Sequence, residues 1–168
     1  MATLATYRQQ KDDWFKNSNE SPLPYEERAG FTGLNYYPEN EELRMVLTLD
    51  EFIDKEPIIM TTNTGDEQEY LRWGKIHFTV DDQPVSLTVY YASWGGYFVP
   101  FVDATSGSET YGAGRYLELR PLDENTFIVD FNLAYNPYCA YSENYSCPIP
   151  PAENRINVPI RAGEKAYH

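Results

Sequence analysis

Histidine is almost missing from this chain, with His77 and His168 the two examples in 168 residues. A Ser-His-Asp or Cys-His device would therefore depend on His77, which falls on the polar face of a predicted strand, so nucleophilic catalysis of that kind is not expected. Cysteine is equally scarce, at Cys139 and Cys147. Without paired two-residue spacings or obvious third and fourth ligands, zinc is not expected either. No apolar run approaches the ~20 residues of a membrane span. The N-terminus, Met1 to Asp13, lacks the basic start and apolar centre of a secretory signal. These absences lead us to expect a cytoplasmic protein with no membrane partner and with thiols rather than a disulfide, although the seven residues between the cysteines would allow one. Basic side chains are also few: 13 Lys and Arg against 26 Asp and Glu give a net charge of -13. The excess sits in residues 1–84, which carry 17 acidic and 8 basic groups against 9 and 5 in residues 85–168. Such a field repels nucleic acid, so none is expected as a partner. No phosphate loop, zincin helix or nucleophile-elbow serine occurs, and Gly112-Ala-Gly114 lacks the third glycine and following helix of a dinucleotide site. No metal and no cofactor are expected.

What the chain has in quantity is aromatic residues, 15% of the total and mostly tyrosine, at a length that suits a single domain over residues 1–168. Leu4, Tyr7, Lys11, Trp14 and Phe15 recur at helical spacing and predict an amphipathic helix over about 3–17. Pro24, Glu26, Glu27 and Gly30 predict a short second helix within 21–30, which makes 3–30 a helical segment. From residue 34 to 165 strand signals dominate: 43–49, 58–62, 69–73, 76–80, 85–91, 97–102, 116–120 and 127–133. The hairpin of Ile76, Phe78 and Val80 with Val85, Leu87 and Val89 is the clearest. The fold class expected is mainly β: an antiparallel barrel or sandwich of about eight strands with one or two N-terminal helices. Residues 135–157, rich in proline turns, read as a long ordered loop.

Possible chemistry gathers between Asp103 and Asn154. Thr105 to Arg115 supplies small residues, exposed amides and a fixed cation, a combination suited to a carboxylate or phosphate, with Arg115 as anchor and Tyr111 beside it. The same glycines would equally serve tight turns, with Arg115 paired to Glu109 or Asp130. On a strand over 127–133, Asp130 and Asn132 would project from one face, either toward a pocket or toward solvent. Tyr135, Tyr138, Tyr141 and Tyr145, with Asn136, could form a hydrogen-bonding aromatic wall, and Cys139 a reactive thiol. Three functions follow. The first is binding of a small molecule, an anion among the candidates, in a tyrosine-lined pocket. The second is an enzyme, a hydrolase or isomerase, with Glu109 or Asp130 as general base and Arg115 stabilising developing negative charge. The third is an interaction module around Trp94, Tyr97 and Phe98, in keeping with a homodimer.

The same block resembles the family called domain of unknown function 1684, found largely in bacteria and archaea. The resemblance runs over about residues 5–165 and is carried by Ser21-Pro-Leu-Pro24, Phe31 to Tyr37, Tyr70-Leu-Arg-Trp-Gly74, Phe98 to Thr105, Glu109 to Tyr116, Asp130 to Ser142, Cys147-Pro148 and Ala162-Gly-Glu164. It implies the domain limits and the choice of block. It implies no activity and assigns no catalytic residue.

Overall fold

The structure, a computed structural model, describes residues 3–168. Helix α1 spans Leu4–Asn17; the Thr3 side chain opens it by accepting the Thr6 amide at 3.1 Å. Only Phe15 is fully buried on this helix, so α1 lies on the domain by one edge. The second expected helix is reduced to a 3-10 turn at Tyr25–Glu27. Pro22 and Pro24 remove backbone donors and push the residues before them toward extended conformations, while Arg28 ties the segment down through the Ser21 and Leu23 carbonyls.

Seven strands follow: β1 (Arg44–Thr48), β2 (Asp50–Thr61), β3 (Glu67–Val80), β4 (Gln83–Ala92), β5 (Gly96–Phe101), β6 (Arg115–Pro121) and β7 (Thr126–Asp130). They form one antiparallel sheet in the order β1-β7-β6-β5-β4-β3-β2. Strands β1 and β2 occupy opposite edges, yet only Leu49 separates them in sequence. The sheet must therefore curl until its edges meet at that corner, giving a half-barrel. The mainly β fold with an N-terminal helix is the one the sequence pattern predicts.

The count is seven and not eight because 69–73 and 76–80 are one strand. Its register against β4 slips between Arg72 and Gly74, a bulge that carries the strand on without ending it. Residue 74 must be glycine for this packing: a Cβ there would lie 2.7 Å from the Asp50 carbonyl oxygen. In the β3–β4 hairpin Asp81 and Asp82 both take positive φ, the backbone of a type I′ turn, which aspartate tolerates better than most residues.

Ile76, Leu87, Val89, Val99, Phe101, Leu117 and Val129 fill the concave side of the curl. The C-terminal segment enters it through Val158, Ile160 and Ala162. On the opposite side Tyr70, Tyr90, Phe98 and Tyr116 are covered by Cys147 and its neighbours. Phe15 packs with Leu23, Phe31 and Tyr141 in a third cluster under α1. Among the described residues no helix is long and apolar enough to cross a membrane.

Candidate functional site

Arg115 opens β6 with its side chain 0% exposed, pointing into the half-barrel. Its guanidinium donates to the carbonyls of Ile160 at 2.8 Å, Ala162 at 2.6 Å and Glu164 at 3.2 Å, and to Asp103 Oδ2 at 3.3 Å. Asp103 also accepts the Ile160 amide at 2.6 Å and the Thr105 hydroxyl. The predicted ligand anchor is thus consumed inside the protein, where it clamps the C-terminal segment into the curl. Planarity and five fixed donors suit arginine to this post. Gly114 precedes it with φ +102°, and a Cβ there would stand 2.5 Å from the Phe101 carbonyl oxygen. The turn reading of that glycine holds.

The two candidate general bases lie apart from Arg115's partners. Strand β7 ends at Asp130, and residues 131–133 form a 3-10 turn, so Asp130 and Asn132 do not project together from a strand. Asp130 Oδ1 accepts both the Asn132 amide and its Nδ2, while Oδ2 pairs with Arg44 on β1 at 3.2 Å. Asn132 is spent on the Asn40 backbone. Glu109 accepts the Tyr37 hydroxyl at 2.8 Å and two bonds from Arg161. Arg161 above all holds the Glu109 carboxyl below the ordinary range, the opposite of what a general base at neutral pH needs.

His77 does stand between Ser86 Oγ at 2.7 Å and Asp50 Oδ2 at 3.2 Å. The trio sits on the solvent face of the sheet, with Asp50 and His77 more than half exposed, and lacks the dry environment that makes such a trio reactive. Of the three aromatic residues of the interaction reading, Trp94 is 68% exposed, but Phe98 is buried and Tyr97, its neighbour on β5, faces the other side of the strand. Among the described residues no three His, Cys, Asp or Glu side chains gather as metal ligands.

A concave feature lined mainly by aromatic side chains lies elsewhere, between α1, β6 and the loop after β7. It is a cleft of about 630 Å³. Helix α1 supplies Tyr7, Gln10, Lys11, Trp14 and Phe15; β6 supplies Tyr116 and Glu118; the loop supplies Tyr135, Tyr138, Tyr145, Cys147 and Pro148. A hollow of about 190 Å³ under Trp94 shares Tyr116, Glu118, Tyr135 and Pro148 with it. The walls are braced: Tyr135 donates to Glu118 at 2.9 Å, Tyr116 to the Pro148 carbonyl, and Tyr138 stacks on Trp14 at 6.4 Å between centroids. Burial, foremost, pushes the Tyr116 and Tyr135 phenols well above their ordinary pKa, so both remain neutral donors.

At the helix side Lys11 Nζ pairs with buried Glu164 and lies 5.2 Å from the centre of the Tyr135 ring. Glu164 also accepts the Tyr141 hydroxyl at 2.8 Å and the Asn136 amide at 3.1 Å. The predicted wall therefore divides: Tyr135, Tyr138 and Tyr145 line the cleft, while Asn136 and Tyr141 stand behind it and hold Glu164. Lys11, Trp14, Tyr116 and Glu164 were not among the predicted site residues. Their signal was the single lysine stem amid helix aromatics and the Ala162-Gly-Glu164 motif.

Behind Tyr138 sit the two free thiols. Cys147 Sγ accepts the Cys139 amide at 3.3 Å, and Tyr111 Oη lies 3.7 Å from Cys139 Sγ. A hydrogen bond from the Cys147 thiol, aided by Tyr111, lowers the Cys139 thiol to about 6 against the opposing effect of burial. The Cys147 proton is pushed the other way, since it is the one Cys139 accepts.

A family model described as "Protein of unknown function (DUF1684)" matches residues 29–165. The solution NMR structure of an uncharacterized protein of Haloarcula marismortui is 34% identical, with a TM-score of 0.73 over 96% of this chain and 91% of that one. No match is found among curated proteins. With the model covering the sheet, the Arg115 clamp and the cysteine loop, the chain belongs to the DUF1684 family of proteins of unknown function.

Proposed function

We propose that the protein binds a small molecule with a flat, largely apolar body and an anionic end in the cleft between α1, β6 and the tyrosine-cysteine loop. The observation that carries this reading is the convergence of Trp14, Tyr116, Tyr135, Tyr138 and Tyr145 from three separate elements around one space of drug-like size. Rings from different elements offer faces and edges for stacking without rearrangement of the fold. Lys11 supplies the cation first sought at Arg115: its ammonium has three donors, and Glu164 takes one. The enzyme alternative is less favoured, because Glu109 and Asp130 both lie outside the cleft and are already paired.

The test is titration with anilinonaphthalene sulfonate, which has an aromatic body and a fixed negative charge, followed by dye and intrinsic tryptophan fluorescence. One dye should bind per native chain, with at least tenfold weaker binding in Trp14→Ala and in Tyr138→Ala. Absent binding, or binding indifferent to both substitutions, would overturn the proposal.

A further inference from the structure

Cys139 and Cys147 place two nucleophilic side chains close together beside the cleft. Both backbones are pinned. The Cys147 amide donates to Asn63 Oδ1 at 2.7 Å, and the Asn63 amide to the Cys147 carbonyl at 3.1 Å, which anchors that residue to the β2–β3 turn. Cys139 lies in a 3-10 turn, Tyr138–Ala140, whose amide reaches the Cys147 sulfur. The Cys147 sulfur is thus held against the Cys139 backbone across a seven-residue loop, 140–146. They differ in access: Cys139 is half-buried and Cys147 buried. They differ also in surroundings, since Tyr111 Oη lies 3.7 Å from the Cys139 sulfur and favours it as thiolate. A purely structural thiol pair in this apolar cluster would need no such donor.

We propose that Cys139 and Cys147 are a reversible dithiol–disulfide couple, with Cys139 the attacking and Cys147 the resolving thiol, and with low-molecular-weight disulfides as oxidants. The Cys139 thiolate attacks one sulfur of the oxidant; the oxidant's S–S bond breaks and its first half leaves as thiolate, giving a mixed disulfide on Cys139. Cys147 passes its proton to that departing thiolate and attacks the Cys139 sulfur. The second half of the oxidant leaves and takes up a proton from solvent, replacing the one that Cys139 gave up on ionising. Two protein thiols lose two electrons, and one disulfide becomes two thiols.

Closure of the bond moves the sulfur that accepts the Cys139 amide and tightens the 140–146 loop, which carries Tyr145 and Ser146 and follows directly on Tyr138, all three lining the cleft. Oxidation should therefore change the cleft's affinity for ligand; this consequence, unlike the couple itself, rests on the cleft reading.

The experiment equilibrates the full chain in reduced and oxidised glutathione mixtures, quenches with acid, alkylates the remaining thiols and reads the intact mass. Wild type should convert in one step to a species lacking two hydrogens and resistant to alkylation. Cys147→Ser should stop at a mixed disulfide on Cys139. Cys139→Ser should react with glutathione disulfide at least tenfold more slowly, and the wild-type rate should hold down to about pH 6. A chain that keeps both thiols in excess oxidised glutathione, or a Cys139→Ser variant that reacts as fast as Cys147→Ser, overturns the couple. Dye titration of the reduced chain separates the two readings: no binding there, beside normal disulfide formation, sinks the cleft and leaves the couple standing.

Discussion

Replacing Arg115 by methionine tests whether that side chain serves the fold or a ligand. The substitution keeps an unbranched stem of similar length but removes four hydrogen bonds, three of them to the carbonyls of the C-terminal segment. It also leaves the Asp103 carboxylate, 4% exposed, with no cation. Breaking a buried pair from one side costs about 3–5 kcal/mol. Because Nε of Arg115 has no partner and burial already disfavours the guanidinium charge, the lower end of that range applies, about 3 kcal/mol. At ~2–4 °C per kcal/mol for a chain of this size, the melting temperature should fall by roughly 10 °C in a circular dichroism melt. Arg115→Lys, which restores charge but not the three-way fork, should recover less than half of the loss. A double-mutant cycle with Asp103→Asn should show coupling of ~1 kcal/mol or more, since the two side chains share one buried site. A methionine variant that melts within ~2 °C of the parent while losing dye binding would refute this reasoning and return Arg115 to the ligand.

Asn154→Ala strips the fully buried amide that bridges Thr88 on β4 to the Pro100 carbonyl on β5; urea unfolding should show a loss of about 2–4 kcal/mol, and a loss under ~1 kcal/mol would mean that other groups replace those bonds. Glu153, held at about 2 chiefly by hydrogen bonds from Arg72, gives stability that is present above the unfolded carboxyl pKa and disappears as pH falls through the folded one. Glu153→Gln should therefore lower the urea midpoint at pH 6, with the gap to wild type narrowing between about pH 4.5 and 2; a gap constant with pH would contradict the pairing. Gly74→Ala should destabilise by ~1–3 kcal/mol in the same assay, because its methyl meets the Asp50 carbonyl, and a neutral effect would show that the bulge yields.

Periodicity made the sheet readable. The alternation at Ile76, Phe78, Val85, Leu87 and Val89 is the direct imprint of a pleated strand with one buried face, and those residues are the core of the half-barrel. What the pattern could not carry was continuity: Gly74 looks like a turn, whereas here it lets a bulged strand pass close to β2. The site was harder to read because a side chain's type does not tell which way it faces. Arg115 and Asp130 have the chemistry of a ligand site, but tertiary packing gives the first to the C-terminal carbonyls and the second to Arg44. Tyr135 and Tyr138 were legible as a wall. The facing wall, Lys11 and Trp14, lies more than a hundred residues away in sequence on a helix whose pattern showed only that it packs somewhere.

The central claim, that the cleft receives a flat anionic molecule, is met most directly by intermolecular nuclear Overhauser effects between anilinonaphthalene sulfonate and the reduced, isotopically labelled protein. The account predicts contacts from the dye rings to Trp14, Tyr135 and Tyr138, with the sulfonate end near Lys11. Contacts confined to the exposed face of Trp94, or spread over the apolar surface without reaching Tyr135, would contradict it.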